Sequence, residues 1–176
     1  RNFAARNKKS IALNLVTPSI RPAPQEVFYR LVQQADVVLE GYRPGAAQWM
    51  GVDYETVKRY NPKIIYCSIT GYGQDGPYAQ RPAQDVVVQG YGGMMSVTGE
   101  PGGAPVRPGA SLGDILGGLY AVIGLLSALQ ERQRSGRGQL VDISLLDCQV
   151  AVQENAFMRY FFTGEVPGPI GSRHPV

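Results

Sequence analysis

Residues 111–139 read SLGDILGGLYAVIGLLSALQERQRSGRGQ, and the rest of the chain is best read outward from them. One acid, Asp114, stands between Gly113 and a run from Ile115 to Gln130 that carries no charge. Glu131, Arg132 and Arg134 follow at once, and Ser135-Gly136 then supplies a stop signal, so the pattern predicts a long helix from Asp114. Ser111-x-x-Asp114 matches a helix start in which the serine caps the first turn and the acid bonds back to it. A carboxylate at the mouth of an apolar helix is equally placed to act as a nucleophile, with the first-turn N–H groups favouring its ionised form. The residues alone leave both readings open. The uncharged run is shorter than the roughly 18–20 residues that span a bilayer. It is also broken by Gly117, Gly118 and Gly124, so it reads as a buried helix. Glycine costs a helix about 1 kcal/mol relative to alanine, so the Gly117-Gly118 pair predicts close approach of a neighbouring helix or a ligand.

Upstream, strand and helix signals alternate. Ser10-Ile-Ala-Leu-Asn-Leu15 has the period of a strand. After the proline-rich 17–24 linker, Val27, Phe28, Leu31, Val32 and Ala35 recur at helical spacing. Val37-Val38-Leu39 is the kind of short apolar run buried in a parallel sheet. Asp53 is placed to cap a helix running to Tyr60, which Asn61-Pro62 ends, and Ile64–Ile69 is the next buried strand. Residues 70–109 turn to Gly, Pro, Gln and Tyr, a loop-rich zone with room for one short helix. Such zones lie where parallel α/β proteins place their sites. Downstream, Leu140–Leu145 reads as a strand. One apolar helix follows through Phe162, with Leu146, Val150, Phe157 and Phe161 on one face. The order predicts an α/β fold with parallel strands.

Composition bounds the function. The 176 residues are 44 % hydrophobic and 18 % charged, which describes one ordinary globular domain, or at most two. A net charge of +3, scattered along the chain, does not point to nucleic acid. Cys67 and Cys148 fall in predicted buried elements without metal-like spacing and read as free thiols of a reducing compartment. With no signal peptide in view, the expected location is the cytoplasm. His174 is the only histidine, so histidine triads and histidine metal sites have little to draw on, and no metal site is expected. Gly71, Gly73 and Gly76 are not followed by a helix or by Gly-Lys-Ser/Thr, so they read as turn residues rather than a phosphate loop.

Five blocks, in one order, resemble the class III CoA-transferases, the group of formyl-CoA and carnitine CoA-transferases. They are Asn7-Lys-Lys-Ser-Ile-Ala-Leu-Asn14, Ala35-Asp-Val-Val-Leu-Glu-Gly-Tyr-Arg-Pro-Gly45, Ser68-Ile-Thr-Gly-Tyr-Gly73, Gly113-Asp114, and Arg132-Gln-Arg-Ser-Gly-Arg-Gly-Gln139. The resemblance implies a Rossmann-like parallel sheet with flanking helices. Residues 1–164 would form the central part of the large domain, and 165–176 would begin a linker toward a smaller one. It implies that this is an internal segment, inactive by itself, of an enzyme that forms interlocked homodimers. It makes Asp114 the nucleophile in CoA transfer from an acyl-CoA to a carboxylic acid, through an aspartyl anhydride and an aspartyl-CoA thioester. Coenzyme A is then a substrate, with no permanently bound cofactor, and neither a membrane nor nucleic acid is expected as a partner.

The same resemblance places the adenine end of CoA at Gly41-Tyr42-Arg43, with Tyr42 covering the base and Arg43 meeting a phosphate oxygen. Trp49 stands where relatives usually carry a basic residue, so stacking or packing would replace a phosphate contact there. Tyr72 and Asp85 match positions near the acyl group, although Asp85 is also suited to cap a helix. Racemases of 2-methylacyl-CoA share this fold and place a histidine immediately before the acid matching Asp85. Here that position is Gln84, which cannot abstract a proton, so transfer is the expected chemistry. A non-catalytic acyl-CoA-binding relative is the other alternative, and the intact Gly113-Asp114 pair speaks against it.

Overall fold

The computed structural model describes residues 6–173. Three parallel strands form its sheet in chain order: β1 (Val37–Glu40), β2 (Ile65–Thr70) and β3 (Leu140–Ser144). Cys67 of the central strand lies opposite Leu39 on one side and Val141 on the other. β2 is buried along nearly its whole length, as a strand covered on both faces must be. Its side chains alternate between two helical layers. Tyr66 joins Val32, Val57 and Ile64 in a core under α1 (Pro22–Val32) and α3 (Tyr54–Val57). Beside it, α2 (Ala46–Met50) contributes Ala47 and Met50 to a second cluster with Val52. The opposite face carries α5 (Leu112–Ser135), flanked by α4 (Asp85–Tyr91) and α6 (Leu145–Ala151). The last element is α7 (Glu154–Thr163), and residues 165–173 hold no helix or strand. His174 lies outside the described residues.

α5 runs antiparallel to the strands. Its Gly117 faces Leu145 and Ile69 at the carboxyl end of the sheet, and Gly124 faces Val141 at the start of β3. At its far end Arg132 reaches the Asp36 carboxylate (2.7 Å) and the Lys63 carbonyl (3.2 Å), at the amino end of the sheet. Gly136, at φ 74°, ends the helix where the stop signal predicted.

Four expectations need correction. Residues 10–15 are not a strand. Ile11, Leu13 and Leu15 do point to one side, lining a cavity with Phe28, Val38 and Leu39, but among the described residues their backbone has no ladder partner. Alternation fixes a face, and only a neighbouring strand makes a β-strand of it. The Asp53 cap is present, accepting from the Thr56 N–H (3.2 Å) and hydroxyl (2.7 Å), but its helix stops at Val57. The apolar segment after β3 is two helices rather than one. The Gln153 side chain takes the Gln149 carbonyl (2.8 Å) that would have continued the ladder, while its own N–H turns to Val150.

The fourth correction concerns α5, which is not buried. Its small residues Gly113, Gly117, Ala121 and Ala128 meet the interior, while Ile115, Leu119, Val122, Ile123 and Leu126 are each at least half exposed. A sheet packed this closely accepts only a stripe without bulk, so the large side chains turn outward. At 24 residues the helix is long and apolar enough to cross a membrane by length and composition, which the charge-free run alone did not suggest. Of the glycine pair, Gly117 meets the predicted close neighbour, Leu145, whereas nothing lies within 4 Å of a side chain added at Gly118.

Candidate active site

Asp114 sits in the first turn of α5, at the carboxyl edge of the parallel sheet and open to solvent. The cap of that helix is supplied from a distance. Ser111 makes no side-chain cap bond; instead Asp85, the first residue of α4, accepts the Gly113 N–H at 2.8 Å and the Asp114 N–H at 3.4 Å on its Oδ1. The capping-box reading of Ser111 and Asp114 is therefore overturned, because a better acceptor arrives from another helix. Gly113 permits the approach: a Cβ there would lie 2.7 Å from Val88 Cγ2 and 3.0 Å from Asp85 Oδ1.

The other oxygen of Asp85 is held as firmly. Gln89, one turn along α4 and fully buried, donates to Oδ2 at 2.7 Å, and Arg107 Nη1 lies 3.5 Å from the same atom. The Asp114 carboxyl itself has no hydrogen-bond partner among the described residues. Partial desolvation, and then the Asp85 charge, push it above the usual carboxylate range. This reverses the expectation that the first-turn N–H groups favour its ionised form, since partial burial and the neighbouring Asp85 charge outweigh them. The folded state thus holds the Asp114 proton more tightly than the unfolded chain does. Stability is lost as pH rises through the carboxylate range and recovered below it. Asp114→Asn should therefore raise the thermal midpoint at neutral pH, with the gain fading toward pH 3, as melts across that range would register. A constant difference would count against it.

The expected CoA-binding residues lie on the neighbouring strand end. Gly41 and Tyr42 follow β1, and a Cβ on Gly41 would lie 3.5 Å from the Ile69 carbonyl, next to the strand that packs on α5. Glu40 shapes the loop: its Oε2 accepts the Tyr42 N–H at 2.6 Å and its Oε1 accepts the Ser68 hydroxyl, to which Gln74 also donates at 2.6 Å. Tyr42 is half exposed, and Arg43 is exposed beside a cavity of about 160 Å³ that Glu40, Gln48 and Ser68 also line. Trp49 is half exposed on α2 with the Arg21 guanidinium 4.2 Å from its ring centre, and Arg21 Nη1 donates to the Trp49 carbonyl at 2.6 Å. The Trp49 ring is thus stacked against a cation supplied by α1's N-cap residue.

The sheet edge thus brings Asp114 and Asp85 together, with the Gly41–Arg43 loop one strand away. Tyr72 is placed differently: it packs edge-on against Tyr78 and Tyr91, the latter at the end of α4 remote from Asp85. Gln84 precedes α4, exposed and without a cap bond. Glu40, Gln89, Arg107 and Arg21 had no role in the sequence reading. Only Gln89 left a usable signal, standing four residues after Asp85 on one helix face.

The sequence model of CoA-transferase family III matches residues 2–176, and the chain belongs to that family. A succinate–glutarate CoA-transferase of Agrobacterium fabrum is 45 % identical over 170 residues, covering 97 % of this chain and 42 % of that protein. An acetyl-CoA:oxalate CoA-transferase of Acetobacter aceti is 42 % identical over 175 residues, 99 % of this chain and 44 % of its own length. The crystal structure of a CAIB/BAIF family protein from Brucella suis superposes with a TM-score of 0.88 at 45 % identity, over 96 % of this chain and 43 % of that one. The chain spans less than half the length of each of these relatives.

Proposed function

We propose that the full-length protein moves CoA from an acyl-CoA thioester to a free carboxylic acid, with Asp114 as the covalent nucleophile. The observation that carries this reading is an exposed, under-stabilised carboxylate on the first turn of α5, at the edge of the sheet where α/β proteins bind ligands. An Asp114 oxygen attacks the thioester carbonyl, the C–S bond breaks, and CoA leaves as the thiolate. The thiolate then attacks the Asp114 carbonyl carbon and expels the donor acid, leaving an aspartyl-CoA thioester. The acceptor carboxylate repeats the exchange in reverse and regenerates Asp114. Each step trades one activated acyl bond for another, so hydrolysis of a nucleotide is unnecessary.

The named relatives are a succinate–glutarate and an acetyl-CoA:oxalate CoA-transferase, so each handles at least one short dicarboxylic acid, and this chain's acceptor acid is proposed to be of that class. Tyr42 and Arg43 hold the adenine end of CoA, and the exposed Trp49 ring, braced by Arg21, offers a flat face for stacking. The bare apolar face of α5 and the exposed Phe161 and Phe162 on α7 fit an interlocked homodimer that would cover them. Free, buried Cys67 and Cys148, with burial pushing the Cys67 thiol up to about 11, fit a reducing cytoplasm.

The test is to incubate full-length enzyme with acyl-CoA donors and a panel of free acids in heavy water. CoA should appear on an added dicarboxylate, with no deuterium gained at the carbon beside the thioester. Deuterium uptake without CoA movement would mean racemase chemistry and end the proposal. Replacing Tyr42 and Arg43 together by Ala should raise KM for acyl-CoA about tenfold or more and leave KM for the acid nearly unchanged. Equal effects on both constants would remove that loop from the CoA site.

A further inference from the structure

We propose that Asp85, clamped by Gln89 and Arg107, is a positioning residue that takes the place of the N-cap acceptor of α5 and so fixes a second carboxylate beside Asp114, leaving the Asp114 charge under-stabilised until acylation removes it. This rests on the reading of Asp114 as the nucleophile. The geometry argues for it in three parts. The Gly113 and Asp114 N–H groups, second and third in the helix, are the donors an N-cap acceptor takes, and both point to Asp85 Oδ1, which holds that carboxylate next to Asp114. Asp85 cannot turn away, because its Oδ2 is fixed by a fully buried Gln89 and by Arg107. Gly113 keeps the approach open, since a side chain there would strike both Val88 and Asp85.

The consequence follows from where charge goes. When Asp114 attacks, its C–O bond forms as the thioester C–S bond breaks, and the negative charge leaves with the CoA thiolate. When the thiolate returns, a C–S bond forms on Asp114 and the charge departs with the donor acid. Asp114 is neutral in both covalent intermediates, so its repulsion with Asp85 is present in the free enzyme and absent after acylation. The arrangement raises nucleophilicity and favours the thioester.

Other titratable groups sit on the elements packed around this pair: Asp147 and Cys148 on α6, Tyr66 and Cys67 on β2, Asp142 on β3, Tyr91 on α4 and Tyr120 on α5 itself. Asp142 is occupied by the Gln74 N–H at 2.9 Å. Among the described residues, Asp85 is the one charge that acts appreciably on Asp114, and Arg107 is the one cation paired with Asp85.

The experiment follows the CoA adduct on full-length enzyme by intact mass after rapid quenching, across pH, in wild type, Asp85→Asn, Arg107→Gln and Asp114→Ala. Asp85→Asn keeps an oxygen for the cap but removes the charge. Adduct formation should slow about tenfold or more, and its acid limb should move to lower pH. Arg107→Gln leaves the Asp85 charge uncompensated, so its acid limb should move to higher pH. A purely structural role would lower the melting temperature of both variants without parting the limbs in opposite directions. If Asp85→Asn does not fold, Arg107→Gln decides alone, and an unmoved limb overturns the proposal. Limbs that coincide with wild type, where wild type carries an adduct lost in Asp114→Ala, overturn this inference and leave the nucleophile standing. A wild type with no Asp114-dependent adduct overturns both.

Discussion

In the full-length enzyme, Asp114→Ala should reduce CoA transfer by about three orders of magnitude or more and abolish the covalent CoA adduct. The fold should survive, because the carboxyl makes no hydrogen bond among the described residues and the helix cap belongs to Asp85. Removing a carboxylate that sits beside another should leave the melting temperature unchanged or higher. Oxygen-18 placed in the acceptor carboxylate offers a second measurement. The acceptor surrenders one oxygen on becoming a thioester, and the Asp114 carboxylate receives it, so the peptide containing Asp114 should gain mass during turnover. Turnover within a few fold of wild type in the alanine variant, or an unlabelled Asp114 after many cycles, would remove this residue from the chemistry.

The largest effect on stability is expected at a glycine outside the site. A Cβ on Gly138 would collide with the Ile64 carbonyl and lie 2.6 Å from the Lys63 carbonyl carbon. Those atoms are backbone, fixed by the β2–β3 ladder, where the Tyr66 N–H donates to the Gln139 carbonyl at 2.9 Å and the Gly138 N–H to Pro62 at 3.0 Å. No rotamer can relieve the overlap, so Gly138→Ala should cost about 3 kcal/mol or fail to fold. Gly118→Ala is the matched control. It sits in α5 with nothing within 4 Å, and alanine there should stabilise by about 0.5–1 kcal/mol through helix propensity. Urea midpoints of the full-length variants, measured side by side, should move in opposite directions. Equal midpoints would mean that the crossing of the α5–β3 turn over β2 is looser than described.

What could be read from the chain were the features written in local order. Val37–Leu39 and Ile64–Ile69 both became strands of the parallel sheet, but only the second is buried between two layers; the first lies at the sheet edge with Leu39 57 % exposed, because an apolar run does not say whether a neighbour covers it. Ser135-Gly136 stops α5 because a left-handed residue is needed there and glycine adopts it without cost. The Gly113-Asp114 pair marked the helix start whatever the remainder of the fold did.

What the chain could not disclose depends on partners distant in sequence. Ser111-x-x-Asp114 is a sound local capping box, yet Asp85 displaces the serine from 28 positions upstream of Gly113, and nothing local announces that. The alternation of Ile11, Leu13 and Leu15 says which side faces inward but not whether a strand lies alongside. The uncharged run of α5 reads the same whether its bulk faces in or out. Tertiary packing decided, because Val141 of β3 and Leu145 of α6 come close enough that only the glycine and alanine stripe fits against them. Helix period and composition are properties of neighbours in the chain, whereas caps, ladders and the buried side of a helix are properties of neighbours in space.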